Sequence, residues 1–162
     1  MKSFLVVGNT GTGKTTFVKT ALKKSKAPLF LYDVNNEYKE FNNLSEFGSF
    51  EDFLQEVKNK TGAVIVFEEA TIFFSNRGAS KEATEILVRK RHTGNLIFFV
   101  FHSLRTVPLH IFDLCDFLIL HKTADNIKLM EAKFNGNDKI LNSFFECLKS
   151  VNKYERKILS LR

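Results

Sequence analysis

Tryptophan is absent from the sequence, and proline and cysteine occur only twice each. With two prolines and no Gly/Ser-rich stretch there is no linker to divide the chain, so one compact domain is expected. Cys115 and Cys147 stand far apart in apolar surroundings. They offer no disulfide framework and read as two reduced, buried thiols. Long apolar runs are missing too. The longest, Leu96 to Phe101, falls far short of the roughly 20 residues that a bilayer span needs. Met1-Lys2-Ser3 leads straight into a short apolar strand, without the h-region or cleavage site of a leader. A cytoplasmic protein is the expectation.

What is present is apolar bulk: 44% of the residues are hydrophobic and 18 are Phe. A chain of 162 residues can bury a core of that kind without metal or disulfide staples. The charge balance, 24 Lys+Arg against 18 Asp+Glu, leaves +6. That excess permits nucleic-acid binding without requiring it. Lys19, Lys23, Lys24 and Lys26 read as an ordinary solvated helix face.

Strand-length apolar runs alternate with helix-period segments, the pattern of a parallel sheet covered on both faces. The predicted strands are 3–7, 29–34, 63–67, 96–101 and 116–121. A helix is predicted from Thr15 to Lys26, stopped by Pro28. Another carries Phe50, Phe53, Leu54 and Val57 behind a Ser49 cap. A third starts at Ser80 and closes at Gly94, a short one follows Pro108, and a last amphipathic one runs from Asp138 to Val151. The fold class is therefore α/β, three layers around a mainly parallel five-stranded sheet. The domain is expected over residues 1–151, with 152–162 a basic tail that the pattern does not place.

The segment Gly8-Asn9-Thr10-Gly11-Thr12-Gly13-Lys14-Thr15 is a full G-x-x-x-x-G-K-[ST] match between a predicted strand and a predicted helix. Glycines let the backbone curl so that successive N–H groups point at phosphate, and the helix N-terminus adds its partial positive charge. Lys14 suits the β- and γ-phosphates and the Thr15 hydroxyl suits Mg²⁺, with Thr16 completing the contact set. Binding of a nucleoside triphosphate, ATP in the first instance, and its hydrolysis are expected.

The strand Ala63-Val64-Ile65-Val66-Phe67 ends in Glu68-Glu69, where α/β sheets place their ligands. This pair resembles the Walker B element of P-loop ATPases that carry an extra catalytic glutamate. The resemblance implies Glu68 as the Mg²⁺-holding carboxylate, in place of the usual Asp, and Glu69 as the group that polarises the attacking water. The alternative is a solvated acidic turn.

Further segments resemble the FtsK–HerA superfamily of DNA-pumping ATPases. They are Tyr32-Asp33-Val34-Asn35-Asn36-Glu37-Tyr38, Arg91-His92-Thr93-Gly94 before the fourth strand, His102 through Pro108 after it, and Leu114 through Leu120. They span residues 1 to about 121 in the expected order. The resemblance implies strand order 5-1-4-3-2 and a polar sensor at His102, where the family usually has Gln. It also implies an arginine finger, Arg91 first and Arg89 next, with Arg105 a third candidate. The small members package viral genomes. The function implied is that of a DNA-translocating ATPase working as a homo-oligomeric ring, a hexamer by family resemblance, with DNA and a capsid or membrane-vertex partner. Its place would be the host-cell cytoplasm, in association with the virion. Arginines at the end of a helix also read simply as complements to its dipole. His102 also reads as an unliganded polar residue at a strand end.

Thr71 through Lys81 mixes aromatics with Arg77 and Lys81, a combination suited to a DNA backbone. Phe73 and Phe74 read equally well as core. Two rival functions stand beside the DNA motor. One is an assembly or secretion ATPase of the Zot type docked on a membrane complex. The other is a small P-loop nucleotide kinase, against which the Glu68-Glu69 pair favours water as the acceptor. His92, His110 and His121 show no metal-ligand spacing.

Overall fold

The computed structural model describes residues 2–45, 47–75 and 77–162. The chain runs β1 (Ser3–Val7), α1 (Lys14–Leu22), β2 (Leu29–Tyr32), β3 (Leu44–Ser45), α2 (Phe50–Val57), β4 (Val64–Phe67), α3 (Ala70–Ser75) and α4 (Arg77–Thr93). It continues through β5 (Leu96–Phe101), α5 (Leu109–Leu114), β6 (Phe117–His121), α6 (Ile127–Lys133), α7 (Asp138–Lys149) and β7 (Arg156–Ser160). The strands form one sheet of order β3-β2-β4-β5-β1-β6-β7. Six pair in parallel and β7 runs antiparallel to β6.

Side chains alternate across this sheet as strand geometry dictates. Leu5, Val7, Phe99 and Phe101 point to one face, where α2, α3, α4, α5 and α7 cover them. Val6, Phe98 and Val100 point to the other, against Val18 and Leu22 of α1. With no tryptophan, phenylalanines fill the larger layer edge to face. Phe67 meets Phe73 at 5.0 Å and Phe53 at 5.2 Å, and stacks on Phe99 at 4.5 Å. Cys115 and Cys147 are free, buried thiols.

The five strands expected from the sequence lie in the sheet in the order 5-1-4-3-2, but among the described residues the sheet has seven strands, not five. Two-residue β3 extends the β2 edge. At the other edge the supposed tail returns as β7, with Leu118 opposite Leu159 and His121 opposite Arg156. Several boundaries also move. β2 stops at Tyr32, α1 starts at Lys14 and ends at Leu22, and α4 begins at Arg77 rather than Ser80. Helix α6, capped by the Asn126 side chain on the Leu129 N–H, was not expected.

In a buried corner away from the P-loop, Lys90 takes the place of an apolar residue. Its ammonium meets Asp116 Oδ2 at 2.7 Å and the Leu114 carbonyl at 2.8 Å, and also bonds the Ser3 hydroxyl. A buried cation needs such a full set of partners. Here they tie α4 to the starts of β1 and β6.

Candidate active site

The loop after β1 is held from both sides by backbone bonds. Gly8 N–H donates to the Phe101 carbonyl at 3.1 Å and Asn9 N–H to the Lys122 carbonyl at 2.9 Å. The space there admits nothing larger than glycine, since a Cβ on Gly8 would lie 2.5 Å from the His121 Cβ and 2.8 Å from Thr12 Oγ1. Gly13, with φ of 92°, makes the left-handed turn that launches α1. Beneath the loop, His121 Nδ1–H donates to the Thr12 carbonyl at 2.8 Å. The ring is buried, and burial first of all pulls its pKa down to about 4, so the imidazole is neutral.

A cavity of about 370 Å³ opens over this loop, lined among others by Lys14, Thr15, Thr16, Glu68, Glu69 and His102. All lie at the carboxyl ends of parallel strands, where the turns out of the sheet converge. Lys14 is buried and donates to the Asn9 carbonyl at 3.0 Å. Burial holds its ammonium below the usual lysine range, against the opposing fields of Glu68, Glu69 and Glu37.

The two adjacent carboxylates differ sharply in setting. Glu68 is buried and accepts from the Tyr38 hydroxyl at 2.8 Å. Desolvation, with Glu37 and Glu69 adding to it, pushes its pKa up to about 7, while the Tyr38 bond opposes the rise. Glu69 turns the chain from β4 into α3 with φ of 54°, a left-handed conformation that non-glycine residues seldom hold. Its carboxylate Oε1 lies 2.5 Å from His102 Nε2. His102 Nδ1 lies 3.3 Å from the Lys14 ammonium.

A sequence profile of the ATPase family associated with various cellular activities (AAA) matches residues 4–99, more than half of the chain. The chain belongs to this family. A search of curated proteins finds no relative by sequence. Solved structures extend the likeness in fold. The genome packaging NTPase B204 of Sulfolobus turreted icosahedral virus 2, in complex with AMPPCP, superposes with a TM-score of 0.79 at 18% identity, over 99% of this chain and 92% of that one. The same protein with ATP-gammaS gives 0.76 at 18% identity over the same shares. B204 of Sulfolobus turreted icosahedral virus, the DNA-packaging ATPase, gives 0.74 at 17% identity over 97% and 96%.

The chain is an ATPase, and its cavity gathers most of the residues singled out from the sequence. Gly8 and Asn9 form the root of the loop, Thr10, Gly11 and Gly13 line it, and Thr12 is tied back by its hydroxyl to the Asn9 carbonyl at 2.7 Å. The candidate arginines are elsewhere. Arg89 and Arg91 are exposed near the C-terminal end of α4, which feeds the start of β5. In a parallel sheet that is the edge opposite the P-loop, so neither reaches the cavity of its own chain. Arg105 is exposed in the loop behind His102, whose backbone is held by Asp125 accepting from the Leu104 N–H at 2.8 Å.

The segment 71–81, singled out for its aromatic and basic residues, is helical on both sides of Asn76, which lies outside the described residues. Phe73 is fully buried and Phe74 packs on Phe99 and Phe101, so neither is available to stack on a base. Arg77 and Lys81 remain exposed. Three residues that line the cavity, Asn35, Glu37 and Tyr154, escaped the sequence reading. Glu37, quoted only as part of a family element, accepts from the Thr15 hydroxyl at 3.0 Å. Tyr154, in the unplaced tail, lines the cavity. An aromatic inside a strongly basic stretch was the one available sign of it.

Proposed function

We propose that this AAA ATPase is a DNA-translocating motor of the FtsK–HerA type, working as a ring to package a viral genome. The observation that carries the proposal is the correspondence in fold with genome packaging NTPases over 99% of the chain. The arrangement of Lys14, Glu69 and His102 around one cavity gives the motor its chemistry.

In this reading the triphosphate lies along the P-loop with its β- and γ-phosphates at Lys14. Glu69 orients a water for in-line attack on the γ-phosphorus and takes up its proton as the bond to the β-phosphate oxygen breaks. His102 links Glu69 to Lys14 and senses whether the γ-phosphate is present. The donor set suits Mg²⁺. Thr15 and Glu68 are oxygen donors, and a buried carboxyl near pKa 7 needs a cation to stay ionised. Among the described residues no cluster of three acidic, His or Cys side chains forms a cage. That fits an ion taking its other oxygens from phosphate and water. Bound there, Mg²⁺ would neutralise charge on the β- and γ-phosphates.

Among the described residues no arginine lines the cavity. In a ring, Arg91 or Arg89 of a neighbouring copy supplies the missing charge, because these side chains project from the sheet edge opposite their own site. DNA contact falls to exposed basic side chains such as Arg77 and Lys81 and is independent of sequence.

The test is steady-state ATP turnover with and without duplex DNA of arbitrary sequence, in preparations confirmed as assembled. Turnover should rise with DNA, and DNA affinity should fall steeply with salt. Replacing Arg77 and Lys81 together should lower the salt slope by about one to two units. An assembled protein that neither binds DNA at low salt nor responds to it overturns the motor reading and leaves the ATPase standing.

A further inference from the structure

The antiparallel return of β7 has a geometric consequence. Because Arg156 pairs with His121, the last residue of β6, the residues just before Arg156 arrive at the edge of the sheet that carries the P-loop. Tyr154 therefore stands beside the loop. Its Cδ1 lies 3.6 Å from the position that a Cβ on Gly13 would occupy, and the ring lines the same cavity as Gly13 and Thr16.

The segment is fixed in that position. The Asn152 side-chain oxygen accepts from the Tyr154 N–H at 3.0 Å, and the Asn152 carbonyl accepts from the Glu155 N–H at 3.1 Å. Lys122, just after β6, donates to the Ser150 carbonyl at 2.9 Å. The Arg156 guanidinium lies 5.6 Å from the centre of the Phe17 ring on α1, and that ring meets His121 edge-on. The tail is thus clamped to the P-loop helix, yet Tyr154 itself is 57% exposed. The Lys153 ammonium lies 4.9 Å from the centre of this ring, which leaves the opposite face to offer beside the phosphate-binding loop.

The cavity lining is of two kinds. Lys14, Glu68, Glu69 and His102 interact with one another and form a charged group suited to the terminal phosphates. Tyr154 and Thr16 border the loop without carrying charge. We infer that Tyr154 is the platform of a nucleobase subsite, on which the base of the bound nucleoside triphosphate stacks. The inference rests on the triphosphate reading of the cavity and adds the part of the ligand that the P-loop does not touch. Base–aromatic stacking needs no base-specific hydrogen bonds, because every base has a π face.

The test compares ATP with inorganic tripolyphosphate, which has the phosphates and no base. Affinities of both are measured by calorimetry for the wild type, Tyr154→Ala and Tyr154→Trp, with thermal melts confirming that each variant is folded. Tyr154→Ala should weaken ATP about 5- to 100-fold, the range expected for loss of one stacked base. It should leave tripolyphosphate within about twofold, and Tyr154→Trp should keep ATP affinity. Unchanged ATP affinity in Tyr154→Ala, or equal weakening of both ligands, overturns the base subsite while the triphosphate site stands. A wild type that binds neither ligand overturns the triphosphate reading and the subsite with it.

Discussion

Glu69 and His102 share a hydrogen bond, carboxylate Oε1 to imidazole Nε2 at 2.5 Å, and the far nitrogen of the same ring faces Lys14 at 3.3 Å. An ammonium can only donate, so Nδ1 must be the acceptor and Nε2 must carry the proton given to Glu69. Lys14 thereby selects the tautomer, and the ring relays position between the Lys14 ammonium and the Glu69 carboxylate. A glutamine side chain can perform both roles, accepting through its carbonyl and donating through its amide.

His102→Gln should therefore keep most of the ATP turnover, within about tenfold, whereas His102→Ala should lower it by about 10²-fold or more, the scale of a lost catalytic hydrogen-bonding partner. Steady-state phosphate release measures both. Equal loss in the two variants would show that the imidazole does something an amide cannot.

The Tyr38 hydroxyl supports Glu68 in the same way, but in a buried setting. Burial, and then Glu68 itself, push the Tyr38 pKa up, so the phenol stays protonated and donates throughout the working range. Tyr38→Phe should cost about 1–3 kcal/mol of stability in urea denaturation, because a buried acceptor loses its donor. The concentration of Mg²⁺ needed for half-maximal turnover should also change, since Glu68 is the carboxylate proposed to hold the ion. A variant with wild-type stability would show that Glu68 finds another partner.

How much of the site was legible in the sequence depended on how local each signal was. The P-loop is a contiguous motif, and its strand and helix flanks are adjacent in the chain. Glu68-Glu69 ends a run of apolar residues, and His102 lies six residues before Pro108. Strand β7 carried no comparable sign. Only Leu159 of its five residues is buried, and the charged residues that protect a sheet edge made it look like a solvated tail. That hid Tyr154, whose place at the site depends on pairing with a strand far back in the chain. Segment 71–81 allowed two readings, and its aromatics are core: with Ala70 they stand at i, i+3 and i+4 along α3 and pack inward. Arg89 and Arg91 were legible as basic residues before β5, but their distance from the cavity follows from strand direction, which only the assembled sheet reveals.

His121 carries a pH dependence of its own. Its folded pKa, about 4, lies below the usual 6.5 because burial disfavours the imidazolium. As pH falls the unfolded chain takes up this proton first, so the contribution is fully present above about 6.5 and is lost as pH drops toward 4. His121→Asn keeps a donor for the Thr12 carbonyl and removes the titration. Its urea midpoint should therefore fall less steeply than the wild type's between those two pH values. Parallel slopes would mean that His121 titrates normally in the folded protein.

The most direct measurement of the central claim is displacement of a labelled third strand from a DNA triplex by the assembled ATPase. A motor that moves along duplex DNA should strip the third strand with ATP and not with a non-hydrolysable analogue. Glu69→Gln should bind both ATP and DNA and strip nothing, since its amide cannot take the attacking water's proton. Wild-type protein that is assembled, bound to the duplex and hydrolysing ATP, yet leaves the third strand in place, would contradict the account.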